Sequence, residues 1–248
     1  MEFRQLWPNP GTVEIERLLY GLAPSERATT DRPHTAVNFI ATVDGHATYS
    51  GRSGALGDEG DKAMFHGLRE QFDAVLAGTG TLRTERYGRI LAKPERRQRR
   101  VEHGLTAEPL ACIFTRSGEL PDDIPLFDEP EARVVIFTSR PRRREAWRAQ
   151  VEEVEIDGGS FTVGDALRQL RAEYGIRSVL CEGGPSLFGA MLQQQVVDEL
   201  FLTVAPWLAG GGEGPSVTMG AQLPELASAR LLWLLERANS LFLRYGLG

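Results

Sequence analysis

The chain has 248 residues, 42% of them hydrophobic and 25% charged, with a formal net charge of -6 at pH 7. These proportions belong to a globular protein of one domain plus an extension, and they exclude a disordered or fibrous chain. The negative charge argues against broad nucleic-acid binding, no apolar run is long enough to span a bilayer, and the start (Met1 to Arg4) lacks a secretory pattern, so a cytoplasmic protein is expected.

The two cysteines, Cys112 and Cys181, lie inside apolar runs and read as buried thiols, not as a disulfide or metal pair. The four histidines (His34, His46, His66, His103) show no ligand spacing, and no metal is expected. Residues 1–33 read as an N-terminal extension, with a helix opened by Thr12 over Val13 to Leu22 and then a polar linker to Pro33. From His34 to Asp44 the residues alternate. Val37, Phe39, Ala41 and Val43 share one face of a strand, and Asn38, Ile40, Thr42 and Asp44 share the other. That second face either is simply wet or presents its polar groups to a ligand. Asp44, before Gly45, is equally a turn-forming residue.

Ser50 to Gly60 is glycine-rich and predicts a mobile loop, followed by an amphipathic helix over Asp61 to Phe72. Asp73 to Ala77 is a short buried strand that runs into Gly78-Thr79-Gly80-Thr81-Leu82, a glycine and hydroxyl turn. Lys93 to Arg100 carries five basic residues, which either steer an anionic substrate or form a solvated helix or loop. Two apolar strands, Pro109 to Thr115 and Arg133 to Thr138, end in Thr115-Arg116-Ser117 and Thr138-Ser139-Arg140. Arginine beside hydroxyls suits a phosphomonoester, each charge-assisted hydrogen bond contributing roughly 1.5–3 kcal/mol. Arginines of the 140–144 run can instead lie in solvent.

Val151 to Ile156 predicts a strand and Val163 to Tyr174 a helix ended by Gly175. After the apolar segment Ile176 to Leu180 comes Cys181-Glu182-Gly183-Gly184-Pro185-Ser186-Leu187, and helical spacing resumes through Met191 and Leu192. Strand, glycine turn and helix in this order leave first-turn N–H groups pointing outward with the helix dipole behind them, as an anionic ligand needs. The same stretch also serves as plain punctuation between strand and helix. Asp198 to Leu208 is a long strand, and Ala229 to Arg237 with Ser240 to Tyr245 form a hairpin. Together these elements predict an α/β three-layer sandwich with a mostly parallel central sheet and an antiparallel C-terminal hairpin.

Several of these stretches, taken in order, resemble the reductase of riboflavin biosynthesis, the C-terminal half of the bacterial bifunctional deaminase/reductase, whose fold is similar to dihydrofolate reductase. The landmarks are Val43-Asp44-Gly45, Leu68-Arg69 with Phe72-Asp73-Ala74, Gly78 to Thr81, Glu182 to Leu187, Val197-Asp198-Glu199, and Ala205-Pro206 followed by glycines. They assign residues 34–248 to the reductase domain, in a free-standing form, since residues 1–33 are too few for the zinc deaminase half. The resemblance implies hydride transfer from NADPH to C1′ of 5-amino-6-(5-phosphoribosylamino)uracil. It implies a diphosphate site at Gly183, Gly184, Pro185, Ser186 and Leu187, faced by Gly78, Thr79 and Thr81, with Asp61 on the nicotinamide side. Thr115, Arg116 and Ser117 would take the adenosine 2′-phosphate. Asp44 and Glu182 are the implied catalytic residues, and Asn38, Thr42 and Glu85 the implied substrate contacts. A homodimer is implied as well, for which the apolar hairpin (Leu231 to Leu235) is a candidate surface, unless its own domain covers both faces.

The chain departs from the family at three places. Asn38 stands where the bifunctional enzymes have lysine, Gly57 replaces a hydroxyl residue, and Thr-Val-Leu-x-Asp-Asp-Pro becomes Thr81-Leu82-Arg83-Thr84-Glu85-Arg86-Tyr87. Two alternatives therefore stand beside the riboflavin-type reductase. One is a reductase of dihydrofolate or another pteridine, and the other is an NADPH-binding protein without catalysis.

Overall fold

A computed structural model describes every residue except 122, 143–145, 158 and 213. In chain order the described elements are β1 (Glu2–Trp7), β2 (Gly11–Glu14), α1 (Ile15–Tyr20), β3 (His34–Thr42), α2 (Glu59–Arg69), β4 (Ala74–Gly78), α3 (Thr79–Glu85) and α4 (Pro94–Glu102). They continue with β5 (Leu110–Thr115), β6 (Arg133–Thr138), β7 (Gln150–Glu155), α5 (Val163–Glu173), β8 (Ser178–Cys181), α6 (Pro185–Gln193), β9 (Glu199–Ala205), β10 (Ala229–Arg237) and β11 (Ser240–Leu247).

The strands form one sheet in the order β2-β1-β10-β11-β9-β3-β8-β4-β5-β6-β7. From β9 to β7 all neighbours are parallel, and β11, β10, β1 and β2 add antiparallel strands at the other end. The central strands β4 and β8 are covered on both faces, which is why they read as unbroken apolar runs, whereas β9 alternates. On one face α1 and α2 pack Ile15, Leu19, Met64 and Leu68 onto Phe201, Trp233 and Phe242. On the other, α5 and α6 place Leu167, Leu170, Phe188 and Met191 against Val179 and Cys181. The predicted three-layer α/β architecture is the one observed. The α5 helix starts where Thr162 caps it, its hydroxyl accepting from the Asp165 amide while the Asp165 side chain accepts in return.

Three local expectations are corrected. The helix expected over Val13 to Leu22 shortens to Ile15–Tyr20, and residues before it form a hairpin in which Arg4 stands opposite Glu236 of β10. Phe3, Ile15 and Leu19 are buried in the same cluster as the α2 side chains, so this segment shares the core of the sheet. Charged residues on the open side of these short edge strands hide the alternation from a reading of the sequence. Arg32 then grips Asp198 with two hydrogen bonds of 2.6 and 2.7 Å, and Arg27 donates to Glu199, so the Val197-Asp198-Glu199 landmark anchors the linker.

The basic 93–100 segment takes the helical alternative, with Lys93 exposed, but its arginines are tied down and not simply solvated. It forms most of α4, and Arg100, only 2% exposed, donates to the carbonyls of Arg69, Glu70 and Phe72 at 3.2, 2.9 and 2.7 Å. Those carbonyls end α2 without helical partners of their own, and a guanidinium satisfies several at once. Arg96 and Arg99 pair with Glu70 from the same side. The expected mobile loop after Ser50 is tied at three points: Tyr49 bridges Arg52, Ser53 binds Glu85, and buried Leu56 accepts from the Trp207 indole at 3.3 Å.

Candidate active site

A cleft of about 1030 Å³ opens at the C-terminal ends of β3, β4, β5 and β8. Open α/β sheets bind ligands at this edge, and the volume is at the upper end of the roughly 300–1,000 Å³ usual for small-molecule sites, room for an elongated ligand.

One half of the cleft is built from bare backbone. The Gly78 amide donates to the Gly183 carbonyl at 2.9 Å and the Glu182 amide to the Leu76 carbonyl at 3.0 Å, which fastens the turn after β4 to the turn after β8. From the joined turns α3 and α6 start side by side, the latter with Gly184 as its N-cap and Pro185 in its first turn. Gly183 lies at φ +109, where a side chain is strained, and a Cβ there would meet the Phe39 ring at 3.3 Å. A Cβ on Gly184 would stand 3.1 Å from the Thr81 hydroxyl, whereas Gly80 has nothing within 4 Å of its Cβ position. The wall therefore offers amides at close approach, the fit a diphosphate needs. Gly78, Thr79, Thr81, Gly184, Pro185, Ser186 and Leu187 all line it, and Gly183 contributes the carbonyl that ties the turns.

At the end of β5, Thr115, Arg116 and Ser117 also line the cleft. The Thr115 and Ser117 hydroxyls are 3.3 Å apart, Ser139 donates to the Arg116 carbonyl at 2.6 Å, and the Arg116 side chain is exposed. The parallel set at the end of β6, Thr138-Ser139-Arg140, is not among the lining residues, and Arg143 and Arg144 of the arginine run lie outside the described residues.

The other half is charged and tightly bonded. Arg69, from the last turn of α2, donates to both oxygens of Glu182 at 2.6 Å each, and the Tyr87 hydroxyl donates to Glu182 Oε2 at 2.6 Å. The guanidinium lies over Phe65, 4.1 Å from the ring centre, with Tyr87 at 5.2 Å. Burial opposes the charge on Arg69, but the Glu182 carboxylate outweighs it and its pKa moves upward. Burial and then the same carboxylate push the Tyr87 phenol well above its ordinary value. His66, one turn before Arg69, is held down to about 4 by burial and by Arg69, so it is neutral near pH 7. Asp61 moves the other way, up to about 6, because burial outweighs the hydroxyl of Thr203, with Asp58 adding to the rise. Asn38 also faces the cleft, and its Oδ1 is a buried acceptor without a partner in the protein. Glu85 accepts from the Ser53 amide and hydroxyl at 3.0 and 2.8 Å, while Arg86 turns outward to Asp123 at 2.7 Å.

Thr42, expected above as a substrate contact, and Asp44, expected as a catalytic residue, are not among the residues that line the cleft. The Thr42 hydroxyl donates to Asp44 at 2.5 Å, and Asp44 accepts from the Ala209 and Gly210 amides at 3.1 and 2.8 Å, fixing the loop after β9. Those donors hold the Asp44 carboxyl below the usual range, as suits a turn-forming anion. Sequence reasoning missed Phe65, His66 and Tyr87. Arg69 stood only as a landmark, and the signal for Tyr87 was its place where the family has proline.

Residues 33–240 match the RibD C-terminal domain family. The chain is 28% identical over 192 residues to the Archaeoglobus fulgidus 2,5-diamino-6-ribosylamino-4(3H)-pyrimidinone 5′-phosphate reductase, covering 76% of this chain and 87% of that one. A Methanothermobacter thermautotrophicus protein of the same name is 26% identical over 200 residues, covering 80% and 89%. Among solved structures, a pyrimidine reductase-like protein from Corynebacterium diphtheriae superposes with a TM-score of 0.78 at 26% identity, covering 95% of this chain and 99% of that one. A dihydrofolate reductase-like sheet, paired glycine turns at the strand ends and a match over most of the length agree, and the chain belongs to the RibD C-terminal domain family.

Proposed function

We propose that the protein is an NADPH-dependent reductase of the riboflavin-biosynthesis type, acting on a 5-amino-6-ribosylamino pyrimidine 5′-phosphate. The observation that carries the proposal is the two-part cleft: a backbone wall at the starts of α3 and α6 on one side, and fixed polar side chains on the other. Gly184, Ser186 and the first turn of α6, with Gly78, Thr79 and Thr81 opposite, would hold the diphosphate. Thr115, Arg116 and Ser117 would take the 2′-phosphate, which distinguishes NADPH from NADH by charge. Bound reduced nicotinamide supplies the hydride. Asn38, with its free acceptor, and Glu85 and Glu182 border the space left for the pyrimidine and its ribose.

The named relatives act on the 2-amino pyrimidinone, and the uracil implied by the resemblance differs from it at ring C2. Steady-state oxidation of NADPH and of NADH with each compound tests both the reaction and the ring preference. Turnover with either pyrimidine and a preference for NADPH are expected, and no oxidation with either would reject the proposal. We further place the enzyme in the cytoplasm as a homodimer. Its interface would be the partly exposed leucines of β9, β10 and β11 on the side away from α1 and α2, where Leu243 stands opposite both Leu234 and Leu202 and Leu241 lies on the same strand.

A further inference from the structure

Among the described residues that line the cleft, three are carboxylates: Asp61, Glu85 and Glu182. Two are committed. Glu182 is bonded through both oxygens to Arg69 and Tyr87, and Glu85 is fixed through Oε1 by the amide and hydroxyl of Ser53. Asp61 is held differently. It sits in the first turn of α2, its carboxyl pressed into the space that a side chain on Gly57 would fill, with Oδ2 2.5 Å from the Cβ position. A side chain at residue 57 would have to share that space with the acid.

We propose that Asp61 is the proton donor of the reduction, delivering its proton to the ribose ring oxygen of the substrate. The assignment rests on the reductase reading above. In the balanced step the C1′–O4′ bond breaks and its electron pair goes to O4′, which takes the Asp61 proton. C1′ receives the hydride, with its two electrons, from the reduced nicotinamide, which is oxidised. Asp61 is left as the carboxylate and regains a proton from solvent.

The groups around Asp61 suit this cycle. Burial favours the acid form and Asp58, the N-cap of α2, adds to it, while the Thr203 hydroxyl from β9 and Lys62 favour the anion. Lys62 is itself paired with Glu59 at 2.8 Å, and Arg237 of β10 lies beside the neighbouring Gly60. His66 also lines the cleft from α2, beside the cations Lys62 and Arg69, and is held neutral near pH 7.

Asp61→Asn and Thr203→Val test the assignment through NADPH affinity, the pH profile of kcat, and a carboxyl NMR titration of the free protein. The expected result for Asp61→Asn is a kcat at least ~100-fold lower, the usual weight of a general acid, with NADPH affinity changed less than about threefold. Wild-type kcat should fall as pH rises through about 6. That limb should vanish in Asp61→Asn and move to higher pH in Thr203→Val, which loses a bond favouring the anion. An Asp61 carboxyl titrating in the ordinary range near 4, an unmoved limb in Thr203→Val, or an unchanged kcat in Asp61→Asn overturns the assignment. Parallel loss of NADPH binding and kcat also overturns it, by making Asp61 a cofactor contact only. A wild type with no turnover rejects the reductase reading and this assignment with it, whereas an active wild type with an unaffected variant rejects the assignment alone.

Discussion

Glu182 and Asp61 are carboxylates of one cleft in opposite environments, and the difference lies in their partners. Glu182 meets a guanidinium and a phenol, with every oxygen used, so it is a fixed negative charge. Removing Arg69 leaves that charge buried alone. Arg69→Met should therefore cost about 3–5 kcal/mol in urea denaturation, and Tyr87→Phe, which removes one hydrogen bond to a charged acceptor, about 1.5–3 kcal/mol. Equal stability of both variants and the wild type at pH 7 would contradict this view of the triad.

The glycine turns after β4 and β8 act as one element, because a single 2.9 Å bond from the Gly78 amide to the Gly183 carbonyl joins them. Gly184→Asp places a carboxylate where the diphosphate is proposed to lie. Its Cβ meets only the Thr81 hydroxyl, at 3.1 Å, an atom that a rotation can move. The variant should keep its circular dichroism and melt within a few degrees of wild type, yet show at least ~100-fold weaker NADPH binding, since a like charge in a desolvated site costs several kcal/mol. Undiminished binding would move the cofactor elsewhere. These turns were legible in the sequence because their chemistry is local: glycines for close approach, hydroxyls for donors, and a strand and a helix on either side. The β1–β2 hairpin was not, because its partner strand lies more than 200 residues away and its outer face is charged. The role of Arg100 was hidden for the same kind of reason. Its binding sites are carbonyls of residues 69, 70, 72 and 106, and no periodicity within α4 reports them. Asp44 shows the opposite limit: the residue pattern left a turn and a ligand role open, and amides from 165 residues downstream fill its oxygens.

At the scale of the whole molecule, among the described residues, seven parallel strands carry the cleft and four antiparallel strands extend the sheet away from it. Trp233 and Leu235, both within the hairpin named from sequence as an interface, are 5% and 0% exposed and belong to the core. Leu234 and Leu243 point to the other side, opposite one another and next to Leu202, and are only half-buried. If a second copy covers them, Leu234→Glu with Leu243→Glu should convert a dimer to a monomer in sedimentation at micromolar concentration, while Trp233→Phe should not. A wild type that sediments as a monomer would remove the interface proposal and leave the cleft untouched.

The two halves of the cleft meet in turnover, since a backbone wall proposed to hold a dinucleotide requires an acceptor in the facing polar pocket. The most direct test is steady-state oxidation of NADPH by the purified protein, comparing the two ribosylamino-pyrimidine phosphates with dihydrofolate under identical conditions. Oxidation with a ribosylamino pyrimidine, absent or far slower with dihydrofolate and with NADH in place of NADPH, is the result expected. Preference for dihydrofolate, or no oxidation with any of the three, would contradict the assignment of the pocket built around Arg69, Tyr87 and Glu182.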